Sequence, residues 1–203
     1  MNPENETYAI NVQKHFLQLL NDHLPKDLLG KSKENKTVKI LSIGCGRFRE
    51  AKSIFDYFQG CEDTLNLFGI ETDKERLDLA KEEEIIKKNK NTVSLKLADA
   101  SNFENYADWL NNGRFDLIII RHPEITFNTD VFIKIFSCCV NLLEKNSHLL
   151  ITTHFGNEKE ALKLLLKLYK FNLLAETENP KSPYMQKGEE TLYADRFLLL
   201  ASL

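Results

Sequence analysis

Seven short apolar runs recur along this chain, and helix-forming stretches separate all but the last two. The runs are Val38–Ile43, Leu65–Ile70, Val93–Leu97, Phe115–Ile120, Leu149–Thr152, Phe171–Ala175 and Phe197–Ala201. Each is strand-sized and apolar along its length rather than alternating. That is the pattern of a parallel sheet covered by helices on both faces. Helices are expected near residues 48–59, 73–88, 103–112, 129–144 and 157–170. Thr72, with Glu75 three residues later, fits a capping box, and Thr129 precedes the stripe Val131, Ile135, Cys138/Cys139, Leu142. Strand and helix repeated in this way predict a doubly wound α/β sheet.

The rhythm breaks at the end. Between the Phe171 and Phe197 runs lies ENPKSPYMQKGEE, a polar stretch with two prolines and a glycine but no helix. Two strands joined without a crossover helix pair most easily as antiparallel neighbours. The expectation is a mostly parallel seven-stranded sheet with its last strand antiparallel. Ahead of the first strand, residues 7–24 read as an amphipathic helix (Tyr8, Val12, Phe16, Leu19/Leu20, Leu24) stopped by Pro25.

Composition removes several alternatives. With 203 residues the chain can bury a core without a metal or disulfide. Its four cysteines show no CxxC and no metal-ligand spacing with the five histidines, so no metal is expected and a reducing cytoplasm is the simple reading. No apolar run reaches membrane length, and MNPENETY lacks the regions of a signal peptide. A net charge of −3 argues against affinity built on many phosphate contacts. The lysines at 26, 31, 33, 36 and 39 could form an anion or RNA patch. Acidic residues interrupt them, which favours a solvated linker.

Chemistry-bearing residues collect where strands end. Gly44 and Gly46, in Ile43-Gly44-Cys45-Gly46, let the backbone turn sharply before a helix and approach a ligand. Glu71 closes the second strand, where a carboxylate can accept from both hydroxyls of a ribose; Asp99 follows the third, where it could meet an adenine amino group. Read singly, each has a structural alternative: a tight turn, a solvated carboxylate, a cap. Together they mark the crevice at the carboxyl edge of an open α/β sheet, where ligands bind.

At these residues the chain resembles the class I S-adenosylmethionine-dependent methyltransferases. The resemblance is carried by ILSIGCGRFRE, LNLFGIETDKERLDLA, VSLKLADASNF, FDLIIIRHPE and the closing TLYADRFLLLAS, over about residues 38–203. It implies a Rossmann-like methyltransferase domain over 31–203, its sheet in the order 3-2-1-4-5-7-6, preceded by a helical lid segment over 1–30, with S-adenosylmethionine as cofactor. By the resemblance Gly44 and Gly46 line the methionine part, Glu71 holds the ribose, and Asp99 and Ala100 sit at the adenine. Ser42, Cys45, Thr72 and Arg121 complete the expected cofactor set. Two positions depart from the family pattern: Ser42 stands where an acid often precedes the first glycine, and Phe48 stands at the usual third glycine, where it narrows the loop. The missing glycine at Arg49 disfavours a nicotinamide site.

In-line methyl transfer needs an aligned acceptor and, where the acceptor is protonated, a base. His122 is the candidate base and Glu124 the group that orients an amine or hydroxyl, in the Arg121-His122-Pro123-Glu124 segment after the fourth strand. This segment is not the Asn/Asp-Pro-Pro-aromatic signature of amino-directed nucleic-acid methyltransferases. His154 is a second base candidate, for which packing is the favoured reading. Acceptor choice is expected from the N-terminal helix and the Pro180–Glu190 loop. A small or medium-sized acceptor is favoured over nucleic acid, with an RNA methyltransferase and a non-catalytic S-adenosylmethionine-binding module as the alternatives.

Overall fold

The computed structural model describes residues 3–26, 28, 34, 36–60, 64–110, 113–187 and 190–203. The strands are β1 (Val38–Ile43), β2 (Leu65–Glu71), β3 (Val93–Leu97), β4 (Phe115–Arg121), β5 (Leu143–Thr153), β6 (Asn172–Glu178), β7 (Tyr184–Lys187), β8 (Glu190–Tyr193) and β9 (Phe197–Ser202). The helices are α1 (Pro3–His23), α2 (Glu50–Tyr57), α3 (Lys74–Glu82), α4 (Glu84–Lys88), α5 (Thr129–Leu142) and α6 (Gly156–Leu168). Seven strands form one sheet in the order β3-β2-β1-β4-β5-β9-β6. The β1, β2, β3, β4 and β5 pairings are parallel, and β9 lies antiparallel between β5 and β6. With β9 as the seventh strand, this is the order the resemblance implies, and the antiparallel β9 is the pairing expected from the missing last helix.

The apolar runs are continuous because successive residues feed two cores. Ile40, Leu117, Ile119, Leu198 and Leu200 join one core, with Phe16 and Leu20 of α1 and Ile54 and Phe58. Leu41, Ile43, Ile118, Ile120, Leu199 and Ala201 face the other, with Phe136, Cys139, Leu162 and Leu165 of α5 and α6. Burying each such leucine or isoleucine contributes about 1.5–3 kcal/mol. The apolar stripe of α1 is thus part of the same core as β1 and α2. The boundary expected at 30/31 lies outside the described residues, as do Lys31, Lys33 and Cys61. Among the described residues no helix is long and apolar enough to cross a membrane.

Local expectations needed correction in five places. The 73–88 helix is two helices, broken at Glu83, whose carboxylate bonds Arg47 at 2.9 Å. Its N-cap is Asp73, which accepts from the Arg76 N–H, because the N–H and hydroxyl of Thr72 already donate to Glu71. The cap of α5 is Asn128, while the Thr129 hydroxyl bonds back to the Ile125 carbonyl at 2.8 Å. Among the described residues of the 103–112 stretch, only Phe103–Asn105 is helical, a single 3₁₀ turn, with the Tyr106 hydroxyl pinned to the Ala100 carbonyl. The polar stretch before β9 folds into the β7–β8 hairpin, in which the Tyr184 and Tyr193 rings meet at 5.7 Å.

Candidate functional site

The carboxyl ends of β1, β2, β3 and β4 open into a cleft of about 450 Å³. Gly44 (φ +66°) and Gly46 (φ +55°) make the turn after β1 in the left-handed region that favours glycine. An added Cβ on Gly44 would meet only open space, so nothing but backbone stands between this turn and a ligand. Phe48 (φ +52°) does not narrow the loop. Its ring is buried in the α1–α2 core, and the room for it comes from Gly69 in β2. A Cβ there would lie 2.8 Å from Leu95, 2.9 Å from the Cys45 sulfur and 3.3 Å from Phe48. Gly69 was missed in the sequence; a glycine inside an apolar strand was its signal.

Glu71 ties the second strand to this turn. One carboxylate oxygen accepts from the Gly46 N–H at 2.6 Å, the other from the N–H groups of Thr72 and Asp73 at 2.8 and 3.0 Å. Asp99 accepts from the Ser101 N–H at 2.8 Å through one oxygen, and the other has no partner among the described residues. Gly44, Glu71, Thr72, Asp99, Ala100, Arg121, His122 and Glu124 all line the cleft. Gly46 touches it only through its bond to Glu71. Ser42 and Cys45, expected beside the cofactor, do not line it: both are buried. The Cys45 sulfur packs on Gly69, and burial pushes its thiol far up, which disfavours the thiolate.

Ser42 has a different task. Its hydroxyl donates to the carboxylate of Glu50 at 2.6 Å, so an acid does stand behind the turn, contributed by α2. Burial raises Glu50, against the opposing pull of Arg121 and the Ser42 bond. Arg121, expected in the cofactor set, lines the cleft, while its guanidinium is engaged by acids beneath it. Its guanidinium grips Asp195 through two bonds, at 3.0 and 2.5 Å, lies 3.7 Å from Glu50 and covers the Phe16 ring at 4.3 Å. Thr152 donates to the same Asp195 carboxylate at 2.5 Å. Asp195 is fully buried. Its burial works to raise it, but the Arg121 guanidinium and His122 hold its carboxyl well below 3.8. It was invisible in sequence, where it reads as a polar residue before an apolar strand.

His122 (φ +52°) sits on this assembly. Its Nε2 is 3.0 Å from both the Asp195 N–H and Oδ1, so it can accept from one or donate to the other. Its ring stacks on His154 at 3.9 Å, and His154 Nδ1 lies 2.6 Å from the Tyr193 carbonyl. His154 is thus stacked on His122 and tied to the β8 end, and it also lines a second cavity. The Glu124 carboxylate has no partner among the described residues, and its backbone carbonyl starts the turn into α5. No group that could hold a metal ion occurs among the described residues.

The imidazoles make a pH prediction. Burial lowers His122, against Asp195, and it also lowers His15. A base lowered in the folded state stabilises fully above its unfolded value, about 6.5, and less as pH falls toward the folded one. Glu50, raised, works in the opposite sense. The difference between wild type and His122→Gln cancels its part. That difference, from urea titrations at pH 7.5, 6.5 and 5.5, should show wild type losing more stability than the variant below pH 6.5.

No protein-family model matches this sequence, and no curated protein matches it. Solved structures do. An S-adenosylmethionine-dependent methyltransferase from Clostridium acetobutylicum aligns with TM-score 0.59 at 14% identity, over 100% of this chain and 99% of that one. An O-methyltransferase from Thermotoga maritima gives 0.58 at 15%, over 88% and 64%. A ribosomal protein L11 methylase from Lactobacillus delbrueckii gives 0.54 at 13%, over 86% and 76%. At these identities the likeness is one of architecture. The chain has the class I S-adenosylmethionine-dependent methyltransferase fold, with the strand order and antiparallel β9 described above.

Proposed function

We propose that this protein binds S-adenosylmethionine in the 450 Å³ cleft and transfers its methyl group to an oxygen or nitrogen of a small or medium-sized acceptor. The observation that carries the reading is the convergence of Gly44, Glu71, Asp99 and Ala100 on one cavity from the ends of three strands. The residues fit the cofactor: a ribose finds a carboxylate in Glu71, an adenine amino group finds Asp99, and the open face of Gly44 leaves room for the chain between them. When bound, the cofactor supplies an electrophilic methyl on a sulfonium.

The remaining chemistry belongs to the protein. His122 is neutral near pH 7, since burial lowers it. Nε2 accepts the Asp195 N–H at 3.0 Å, with the Asp195 carboxylate at the same distance. In the tautomer whose Nε2–H turns to that carboxylate, the Nδ1 lone pair can take a proton from the acceptor. Asp195 also holds the histidine in place through Arg121 and Thr152, and Glu124 can orient the acceptor from the rim. Alignment of the two reactants supplies much of the rate. Neighbours of this fold include both an O-methyltransferase and a ribosomal protein methylase, so the acceptor is tested directly.

Calorimetric titration of the purified protein with S-adenosylhomocysteine should give micromolar binding. Asp99→Asn should weaken it about tenfold, as for one hydrogen bond to a charged group. Absence of heat in folded protein would overturn the assignment. Binding without turnover of labelled S-adenosylmethionine across small acceptors and RNA would favour a non-catalytic module.

A further inference from the structure

A second cavity, of about 300 Å³, lies on the α1 side of the β4 end and shares only Arg121 and His122 with the cofactor cleft. That volume is at the lower end of the ~300–1,000 Å³ of small-molecule sites. Tyr8 and Gln13 of α1, Arg49 ahead of α2, and His154 supply its other polar walls. Among the described residues no carboxylate lines it.

The charges leave Arg49 as the available cation. Arg121 is neutralised by Asp195 at 2.5 Å. Arg49 has only a loose contact with Glu83, at 3.9 Å, and that carboxylate is already engaged by Arg47 at 2.9 Å. Burial and the nearby Asp195 raise Tyr8, so its hydroxyl keeps its proton and remains a donor. The Gln13 amide adds further donors beside it. Arg49 and Gln13 also face a neighbouring cavity that carries Glu83 and Glu84. A chamber with a loosely paired guanidinium, neutral donors and no carboxylate in its own lining nonetheless suits a small anion, and a planar carboxylate suits the guanidinium fork.

We propose that this chamber binds the carboxylate of a small organic molecule, with Arg49 as counter-ion and Tyr8 and Gln13 as hydrogen-bond donors. The inference rests on the methyltransferase reading only for its meaning, since His122 in the shared wall then stands between cofactor and acceptor. That molecule is an acid serving as acceptor; the methionine tail of S-adenosylmethionine is the alternative the test separates from it.

The test compares wild type with Arg49→Met by calorimetry, using S-adenosylhomocysteine and 5′-methylthioadenosine, which lacks the amino-acid tail. A third arm follows the thermal shift given by benzoate, with and without S-adenosylhomocysteine. Arg49 is half-exposed, so the variant is expected to fold; Tyr8→Phe provides an independent second variant. A loss of S-adenosylhomocysteine of about 10- to 100-fold in Arg49→Met, with 5′-methylthioadenosine within twofold, would give Arg49 to the cofactor's own tail and overturn the proposal. If the acceptor carries the carboxylate, both nucleosides are unchanged, and benzoate stabilises wild type but not Arg49→Met. Equal loss of both nucleosides, or no effect of Arg49→Met in any arm, overturns the proposal. Should wild type bind neither nucleoside, the cofactor assignment fails. The benzoate arm then decides the chamber alone: an Arg49-dependent shift supports it and no shift overturns it.

Discussion

Replacing Asp195 with alanine is expected to lower the unfolding free energy by about 3–5 kcal/mol, the usual cost of stranding a buried charge. Asp195 is fully buried and receives two bonds from Arg121 and one from the Thr152 hydroxyl, so its loss leaves a buried guanidinium with Glu50 3.7 Å away as its remaining acid. Glu50 compensates poorly, because its own burial favours the protonated form. Asp195→Asn keeps the polar shape and suits the φ of +53°, so it should cost less than alanine. Urea denaturation of both variants measures this. A loss below about 1 kcal/mol for alanine would mean that Arg121 finds water or another partner, and that His122 is not held as described. The sign with pH follows from the lowered pKa. Stability from Asp195 is complete above the unfolded carboxyl value, near 3.8, and disappears as pH falls through the folded one.

The second large effect concerns Glu71. Glu71→Gln should weaken S-adenosylhomocysteine about 100-fold, the equivalent of two charge-assisted bonds at roughly 1.5 kcal/mol each. The carboxylate receives the N–H groups of Gly46, Thr72 and Asp73, and at the same time faces the cleft. An amide cannot repeat this, since its NH₂ would confront one of those donors with another. The turn after β1 should loosen with it, seen as faster amide exchange at Gly46. Affinity within threefold of wild type would move the ribose elsewhere in the cleft. An affinity loss with Gly46 exchange unchanged would separate ribose binding from support of the turn.

The two acids differ in how far sequence could reveal them. Gly44 follows β1 directly, Glu71 closes β2 and Asp99 stands two residues past β3, so their placement needs only the strand's length and the residues next to it. All three line the cleft. Asp195 meets Arg121 across 74 positions, and Glu50 reaches Ser42 from a helix that reads as an ordinary amphipathic one. Arg121 in sequence is a cation beside a ligand edge; in the fold it closes a buried pair. Phe48 reads as an obstruction until Gly69, on another strand, is seen to make space for it. The β7–β8 hairpin was missed for a similar reason. A turn-rich stretch carries little period of its own, and Ala194 and Tyr193 are fixed by contacts with Pro183 and His154.

Sequence alone determined the order of strands and helices, the antiparallel return of β9, and the sheet edge where polar residues gather. These depend on periodicity and turn residues, whose effects extend over only a few positions. Tertiary structure alone decided which of those polar residues face the cleft and which neutralise one another beneath it. The physical reason is desolvation. Arg121, Asp195 and Glu50 lose water only once α1, α2, β4, β5 and the β8–β9 turn pack together, and burial then commits each charge to the partner within reach.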